Sequence, residues 1–326
     1  MKCLITGGCG FLGSHLAEKL VKLGHKVTII DDLSSGNVNN IKHIKDNVKL
    51  IKGNIVNKKI FKHFKNIDWI FHLAAKADIV PSIEEPRGYF DTNVMGTLNV
   101  IEGCRNIKIK KFIYIASSTC YGIPKRYPTN ESSKIITKFP YALTKYFGEQ
   151  LVLHWGEIYR IPVVSLRCFN IYGTRSRTSG AYGAVIGVFL AQKLKNKPLT
   201  IVGDGKQKRD FTFVKDVVDA IIKTAKSKKI NKIYNVGSER AVSINHLSKL
   251  IGGKKTFIPK RPGEPDKTFA DISKIKKDIK WKPKTSIETG MRIVLENIHF
   301  WNTAPVWTKK KIKKVTQKWF KYLGKR

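Results

Sequence analysis

Seven residues near the amino terminus, Gly7-Gly8-Cys9-Gly10-Phe11-Leu12-Gly13, constrain this chain more than any other stretch, because of what flanks them. Residues 2–6 (Lys-Cys-Leu-Ile-Thr) form a short apolar run, and beyond the glycines Leu12, Leu16, Leu20 and Leu23 recur at helical spacing. The pattern is strand, tight turn, helix. Glycines at such a turn permit the bend and the close approach of a ligand to the backbone, and the helix N-terminus then faces an anion such as a pyrophosphate. A second strand, Val27–Ile30, runs into Asp31 and Asp32, about 20 residues further on, where Asp31 can hold both hydroxyls of a ribose. An acidic side chain there repels a 2′-phosphate, and no Arg follows directly to welcome one, so the reading favours NAD over NADP.

The alternation continues. Val48–Ile51 reads as a third buried strand, Trp69–Leu73 as a fourth, Phe112–Ala116 and Val163–Leu166 as two more, with long helical patterns at Tyr89–Cys104 and Tyr141–Tyr159. Strands alternating with helices imply an α/β fold, a Rossmann-type doubly wound parallel sheet covered by helices on both faces. Length fits about two domains at ~150 residues each. After Asn170 the chain turns to loops rich in Gly, Ser, Arg and Thr, with prolines at 198, 259, 262, 265 and 283. The expected division is therefore residues 1–170 as a NAD-binding domain, rejoined by about 210–238 through a strand at Lys232–Val236. A smaller α/β substrate domain is expected at 171–326, ending in a basic, aromatic-containing helix from Trp307.

Chemistry is suggested by Pro140-Tyr141-Ala-Leu-Thr-Lys145, in which Tyr141 and Lys145 are spaced to share one helix face. A lysine ammonium beside a phenol lowers its pKa from about 10, so that the phenolate can act as a base nearer neutrality. The hydroxyls of Ser117, Ser118 and Thr119 follow a strand, at the carboxyl end where open α/β sheets bind ligands.

These ordered features resemble the extended short-chain dehydrogenase/reductase family, and within it the nucleotide-sugar epimerases and dehydratases, over roughly residues 2–300. The resemblance rests on the glycine turn, His72-Leu73-Ala74-Ala75, Asn93, Ser117-Ser118-Thr119, Tyr141 with Lys145, Arg167-Cys-Phe-Asn170, Arg209-Asp210-Phe211 and Arg261-Pro-Gly-Glu264. It implies Tyr141 as acid/base, Lys145 orienting the nicotinamide ribose, and Ser117, with Ser118 beside it, bonding the reacting hydroxyl. It also implies cofactor contacts from Gly7, Gly10, Phe11, Leu12, Gly13, Asp31, Asn54, Ile55, Leu73, Ala74, Ala75 and Asn93. Sugar-nucleotide contacts would come from Asn170 and Arg209 on the diphosphate, Glu264 on the uridine ribose, and Val185, Arg261 and Thr268. His72 reads as a structural residue at a strand end. A homodimer through the helices at 89–104 and 141–159 is implied in the same way.

Departures from the family pattern narrow the chemistry. Asn54 stands where the family often has Asp, and an Asn oxygen can still accept from adenine N6. Sugar 4,6-dehydratases resembling this chain carry an Asp-Glu pair where it has Ser118 and Thr119, and UDP-glucuronate decarboxylases a Glu at the second position. Reversible oxidation at C4, a 4-epimerase reaction, is the simplest chemistry left. Thr268, at a position where a bulky Tyr would exclude N-acetyl groups, leaves room. The segment Gly180–Ile186 also resembles UDP-N-acetylglucosamine 4-epimerases, so UDP-GlcNAc/UDP-GalNAc is preferred over UDP-glucose/UDP-galactose, with UDP-glucuronate and, further off, a dehydratase as alternatives.

The charge needs its own reading. Lys plus Arg number 62 against 24 Asp plus Glu, a net +38, in a chain of 326 residues that is 42% hydrophobic and 26% charged. The lysines run from Lys2 to Lys325 without a focused stripe, which argues against a nucleic-acid binder and suits attraction of a phosphorylated small substrate. A non-enzymatic NAD sensor is disfavoured because the Tyr–Lys pair is present. The 5 cysteines are scattered without a Cys-x-x-Cys, and acidic residues are too dispersed for a metal cluster. The expectation is a cytoplasmic protein with no metal, no membrane span and no disulfide framework.

Overall fold

The computed structural model describes residues 1–176 and 183–324. Its strands are β1 (Lys2–Thr6), β2 (Lys26–Asp31), β3 (Val48–Lys52), β4 (Trp69–His72), β5 (Lys111–Ser117), β6 (Val163–Cys168), β7 (Ile171–Tyr172), β8 (Leu199–Val202), β9 (Lys208–Asp210), β10 (Thr212–Phe213), β11 (Lys232–Val236), β12 (Ala241–Ser243) and β13 (Lys255–Ile258). Among the described residues, 7 of these form one sheet in the order β11-β6-β5-β4-β1-β2-β3, every neighbouring pair parallel. Parallel neighbours need crossovers, which place helices on both faces. Successive residues accordingly enter opposite cores. Ile5, Phe71 and Ile113 join one apolar cluster, and Leu4, Ile70 and Phe112 the other.

The helices are α1 (Phe11–Lys22), α2 (Ile79–Glu84), α3 (Pro86–Phe90), α4 (Gly96–Glu102), α5 (Pro140–Ile158), α6 (Val185–Leu194), α7 (Val214–Lys226), α8 (Ile244–Ile251), α9 (Ser273–Ile279), α10 (Ile287–Glu296), α11 (Lys309–Val315) and α12 (Gln317–Leu323). α1 and α7 cover the first cluster through Leu16, Leu20, Val217 and Ile221, and α4 and α5 the second through Val100 and Val152. A third apolar cluster, with Phe189, Leu199, Ile201, Leu247, Met291 and Trp301, is built mainly by residues that follow β6, with Val80 and Phe139 joining it from before that strand. β11 returns the chain to the main sheet beside β6.

Three local expectations are corrected. Val48–Ile51 is not a buried strand: β3 is the last strand of the sheet, and Lys49, Leu50 and Lys52 are exposed because one side has no neighbour. The helical pattern starting at Tyr89 begins earlier, at Pro86, and is continuous through a π turn at Asp91–Met95. The tail folds as two short helices rather than one. No helix among the described residues is long and apolar enough to cross a membrane.

Candidate active site

Strand order reverses between β1 and β4, opening a crevice beyond the carboxyl ends of the strands. The glycine turn lies there. Gly7 sits at φ +74°, and a Cβ on it would stand 2.8 Å from both the Cα and the N of Ala74, so the turn and the stretch after β4 touch backbone to backbone. A Cβ on Gly13 would lie 2.1 Å from the Gly7 carbonyl oxygen. Gly10 caps α1 without a side-chain hydrogen bond and with no acidic residue in the first turn, leaving Phe11 and Leu12 to open an uncapped helix end. Such an end, lined by glycine, fits a pyrophosphate.

Asp31 ends β2 and is buried. One carboxylate oxygen accepts from the Cys9 amide at 2.9 Å and the other from the Leu33 amide at 2.8 Å. Burial pushes its pKa up while these two amides pull it down. Each oxygen keeps a second lone pair for a ribose hydroxyl. The Leu73 amide donates to the Thr6 carbonyl at 3.1 Å and that of Ala74 to the Thr6 hydroxyl at 3.3 Å, and this brings Ala75 to the crevice. Asn54 donates to Asp32 at 3.0 Å and accepts from the Val56 amide at 2.8 Å, which leaves its oxygen one lone pair for an adenine. Ile55 is a core residue packed on Gly96.

Asn93 makes its hydrogen bonds within the protein. It is wholly buried, accepts from the Lys76 amide at 2.8 Å and donates to the Lys76 carbonyl at 3.0 Å and to Thr144 Oγ1 at 3.1 Å. Placed in the π turn, it ties the segment after β4 to α5 and has no free proton for a ligand. His72 is likewise occupied, with Nδ1 2.6 Å from the Thr6 hydroxyl and Nε2 2.9 Å from that of Thr97, and burial takes its pKa down to about 3.

Pro140 at the first position fixes the start of α5 one residue before Tyr141. Tyr141 faces Ser117, whose hydroxyl is 2.8 Å from that of Thr119. Ser118 opens the 3₁₀ turn that follows β5. One turn along α5, the Lys145 ammonium lies 4.3 Å from the centroid of the Tyr114 ring. Burial sets the direction of both shifts. It pushes Tyr141 up to about 12, the Ser117 hydrogen bond opposes this, and Asp78, Cys168 and Cys120 add to it. Burial brings Lys145 down to about 7. In the protein by itself desolvation thus moves each group toward its neutral form.

On the other side of the crevice, Glu264 joins two arginines. Arg209 Nη2 is 2.9 Å from one of its oxygens and Arg261 Nε 3.1 Å from the other. The family resemblance implies separate ligand contacts for these three residues; the fold joins them in one ion cluster. Asn170 donates to the Asp210 carbonyl at 3.1 Å and to the Thr268 hydroxyl at 2.9 Å, so both amide protons are engaged within the protein. Thr268 also accepts from the Asp210 amide at 3.1 Å. Val185 opens α6. Of the segment Gly180–Ile186, residues 180–182 lie outside the described residues.

Sequence reasoning missed several neighbours. Tyr89 packs edge-on against Tyr141, ring centroids 6.4 Å apart, and donates to the carbonyls of Ala77 at 2.6 Å and Asp78 at 2.9 Å. Asp78, at φ +81°, is a non-glycine residue in left-handed space. Only its turn-like conformation, invisible in composition, distinguishes it. Trp319 approaches the same region from the chain's far end.

A family profile described as GDP-mannose 4,6 dehydratase matches residues 4–294. A putative UDP-glucose 4-epimerase of Methanocaldococcus jannaschii is 35% identical over 300 residues, 90% of this chain and 96% of that one. Among solved structures, the UDP-N-acetylglucosamine 4-epimerase of Methanobrevibacter ruminantium M1 in complex with UDP-N-acetylmuramic acid superposes with a TM-score of 0.85 at 33% identity, covering 91% of this chain and 98% of that one. The UDP-glucuronic acid 4-epimerase of Bacillus cereus, in complex with UDP-glucuronic acid and NAD, gives 0.85 at 32%, covering 92% and 99%. Matches this extensive, on a parallel sheet with its glycine turn at the switch point, make this chain a member of the GDP-mannose 4,6-dehydratase family of extended short-chain dehydrogenases/reductases.

Proposed function

We propose that this protein is an NAD-dependent 4-epimerase of a UDP-hexose, with UDP-GlcNAc/UDP-GalNAc as the preferred pair. One observation carries the reading: a half-buried phenol, Tyr141, meets the Ser117 hydroxyl beside the cofactor crevice, and the two residues after Ser117 are hydroxyls where elimination would need carboxylates. The relatives' nucleotide-sugar substrates and the NAD in the Bacillus cereus complex support it.

Gly7, Gly10, Phe11, Leu12 and Gly13 would hold NAD, with Asp31 on its ribose; when bound it would supply reversible hydride exchange at C4 and, in its oxidised form, a positive charge that favours phenolate nearby. Tyr141 takes the proton of the sugar 4-hydroxyl, and Ser117 holds that oxygen. After the 4-keto sugar turns over, Tyr141 returns the proton to O4, which completes the change of configuration. Nothing is consumed, so the reaction balances as an isomerisation. Arg209 and Arg261 hold the diphosphate, as their bidentate geometry suits, and Glu264 sets their orientation. Thr268 leaves space beside C2. Exposed Phe90, Met95, Leu143 and Phe147 on the helical run 86–102 and α5 support a homodimer through these helices.

The test is proton NMR of the protein with UDP-GlcNAc and no added cofactor. New anomeric and H4 signals of UDP-GalNAc are expected. Their absence with NAD added, while UDP-glucose or UDP-glucuronate is converted, removes the N-acetyl assignment.

A further inference from the structure

The family match ends at residue 294, yet the chain beyond it reaches the site. Ile312, Thr316 and Trp319 form one buried stripe on the two tail helices, while Lys309, Lys310, Lys313, Lys314 and Lys318 face solvent. Gln192 of α6 anchors the approach to these helices, donating to the Trp307 carbonyl at 2.6 Å.

Trp319 is 2% exposed and touches three segments at once. Its indole Nε1 donates to the Pro262 carbonyl at 2.8 Å. Its ring lies under the Arg261 guanidinium, 5.4 Å from centroid to Cζ, and 4.9 Å from the ring of Phe139. Phe139 is the residue that caps α5, two before Tyr141. α12 also packs on α2, whose Val80 shares an apolar cluster with Phe139 and Trp319. One side chain thus joins the 261–264 arm, the start of the helix that carries Tyr141, and the segment that follows Asp78.

We infer that the carboxyl-terminal helices brace the sugar-nucleotide site, with Trp319 as a positioning residue that fixes Arg261 and the start of α5. The ligand side of this inference rests on the UDP-sugar reading above; the mechanical side does not. A cation over an indole and a buried indole hydrogen bond each contribute modestly, the first acting on an arginine already paired with Glu264 and the second on the carbonyl of the residue after it. Trp319 therefore acts on affinity for the nucleotide diphosphate more than on the rate of hydride transfer.

Hydrogen–deuterium exchange and UDP calorimetry on full-length Trp319→Ala and Trp319→Phe test this. In Trp319→Ala, peptides covering 259–264 and 137–143 should exchange faster by about tenfold with β1–β6 unchanged, and the Kd for UDP should rise about five- to tenfold at unaltered NAD content. Trp319→Phe, which keeps the stacking, should lose only about twofold. In an Arg261→Ala background, Trp319→Ala should add no more than about twofold if it works through that guanidinium. Unchanged exchange in both peptides overturns the brace. Faster exchange with an unchanged UDP Kd overturns its role at the site. Wild-type protein that fails to bind UDP overturns the substrate reading, and the exchange result then decides the brace alone.

Discussion

The two sides of the crevice are built by different means. On the cofactor side the geometry is backbone: Gly7 meets Ala74, Gly13 meets Gly7, and Asp31 is gripped by the amides of Cys9 and Leu33. On the side proposed for the sugar nucleotide it is side chains, with Arg209, Arg261 and Glu264 in one ion cluster and Trp319 supporting it from the tail. A backbone cradle tolerates almost no substitution at its glycines, because the contacts leave no room for a side chain. An ion cluster can be retuned by single side-chain changes.

Breaking each side should therefore give different signatures. The largest effect belongs to the chemistry between them: Tyr141→Phe should lower turnover by about 10²–10⁴-fold while the purified protein keeps its NAD, read by cofactor absorbance and NMR assay. On the cofactor side, Gly7→Ala places a methyl 2.8 Å from backbone at φ +74°. It should abolish NAD retention and cost about 1–3 kcal/mol in urea unfolding; wild-type cofactor content in this variant would show that the turn is looser than drawn. On the other side, Arg209→Met should raise KM for the sugar nucleotide about 10–100-fold with NAD retained. Equal losses of NAD and substrate would erase the distinction between the two sides.

Two smaller effects sharpen the electrostatics. Lys145 is held at about 7 in the folded protein, against 10.5 as its ordinary value. The unfolded chain then binds the extra proton between these values, so this residue makes stability rise with pH through that window. The difference in unfolding free energy between wild type and Lys145→Met should grow by up to about 1.4 kcal/mol per pH unit from pH 7 to 8.5, a range chosen to stay below the ordinary thiol pKa of the buried cysteines. A flat difference would mean that Lys145 is stabilised as an ammonium. Asp78 raises the Tyr141 pKa. Asp78→Asn should shift the acid limb of kcat to lower pH by a fraction of a unit, and an upward shift would contradict that coupling.

Much of the cofactor side was legible in sequence because its determinants are local. The glycine turn, the short apolar runs of the strands, and Asp31 at a strand end each follow from a few neighbouring residues. Strand position in the sheet was less legible: Val48–Ile51 reads as buried, and only the sheet order reveals an edge. Asn93 and Asn170 show what a sequence leaves out. Their amide protons look available in a sequence, but three-dimensional neighbours, Lys76 with Thr144 and Asp210 with Thr268, engage them. The phenol followed the same logic. Spacing put Lys145 near Tyr141, whereas burial, a property of the whole fold, decided the direction of both pKa values. Trp319 had no local signal at all, since its importance comes from a contact across 57 residues with Pro262.

The central claim is transient oxidation at C4 with internal return of the hydride. It is tested most directly by incubating the protein with UDP-GlcNAc carrying deuterium at C4 and examining both epimers by mass spectrometry and NMR. The account predicts that deuterium stays at C4 in substrate and product through repeated turnovers. Loss of the label to solvent with epimer formation would contradict it, because the hydrogen would then have left as a proton.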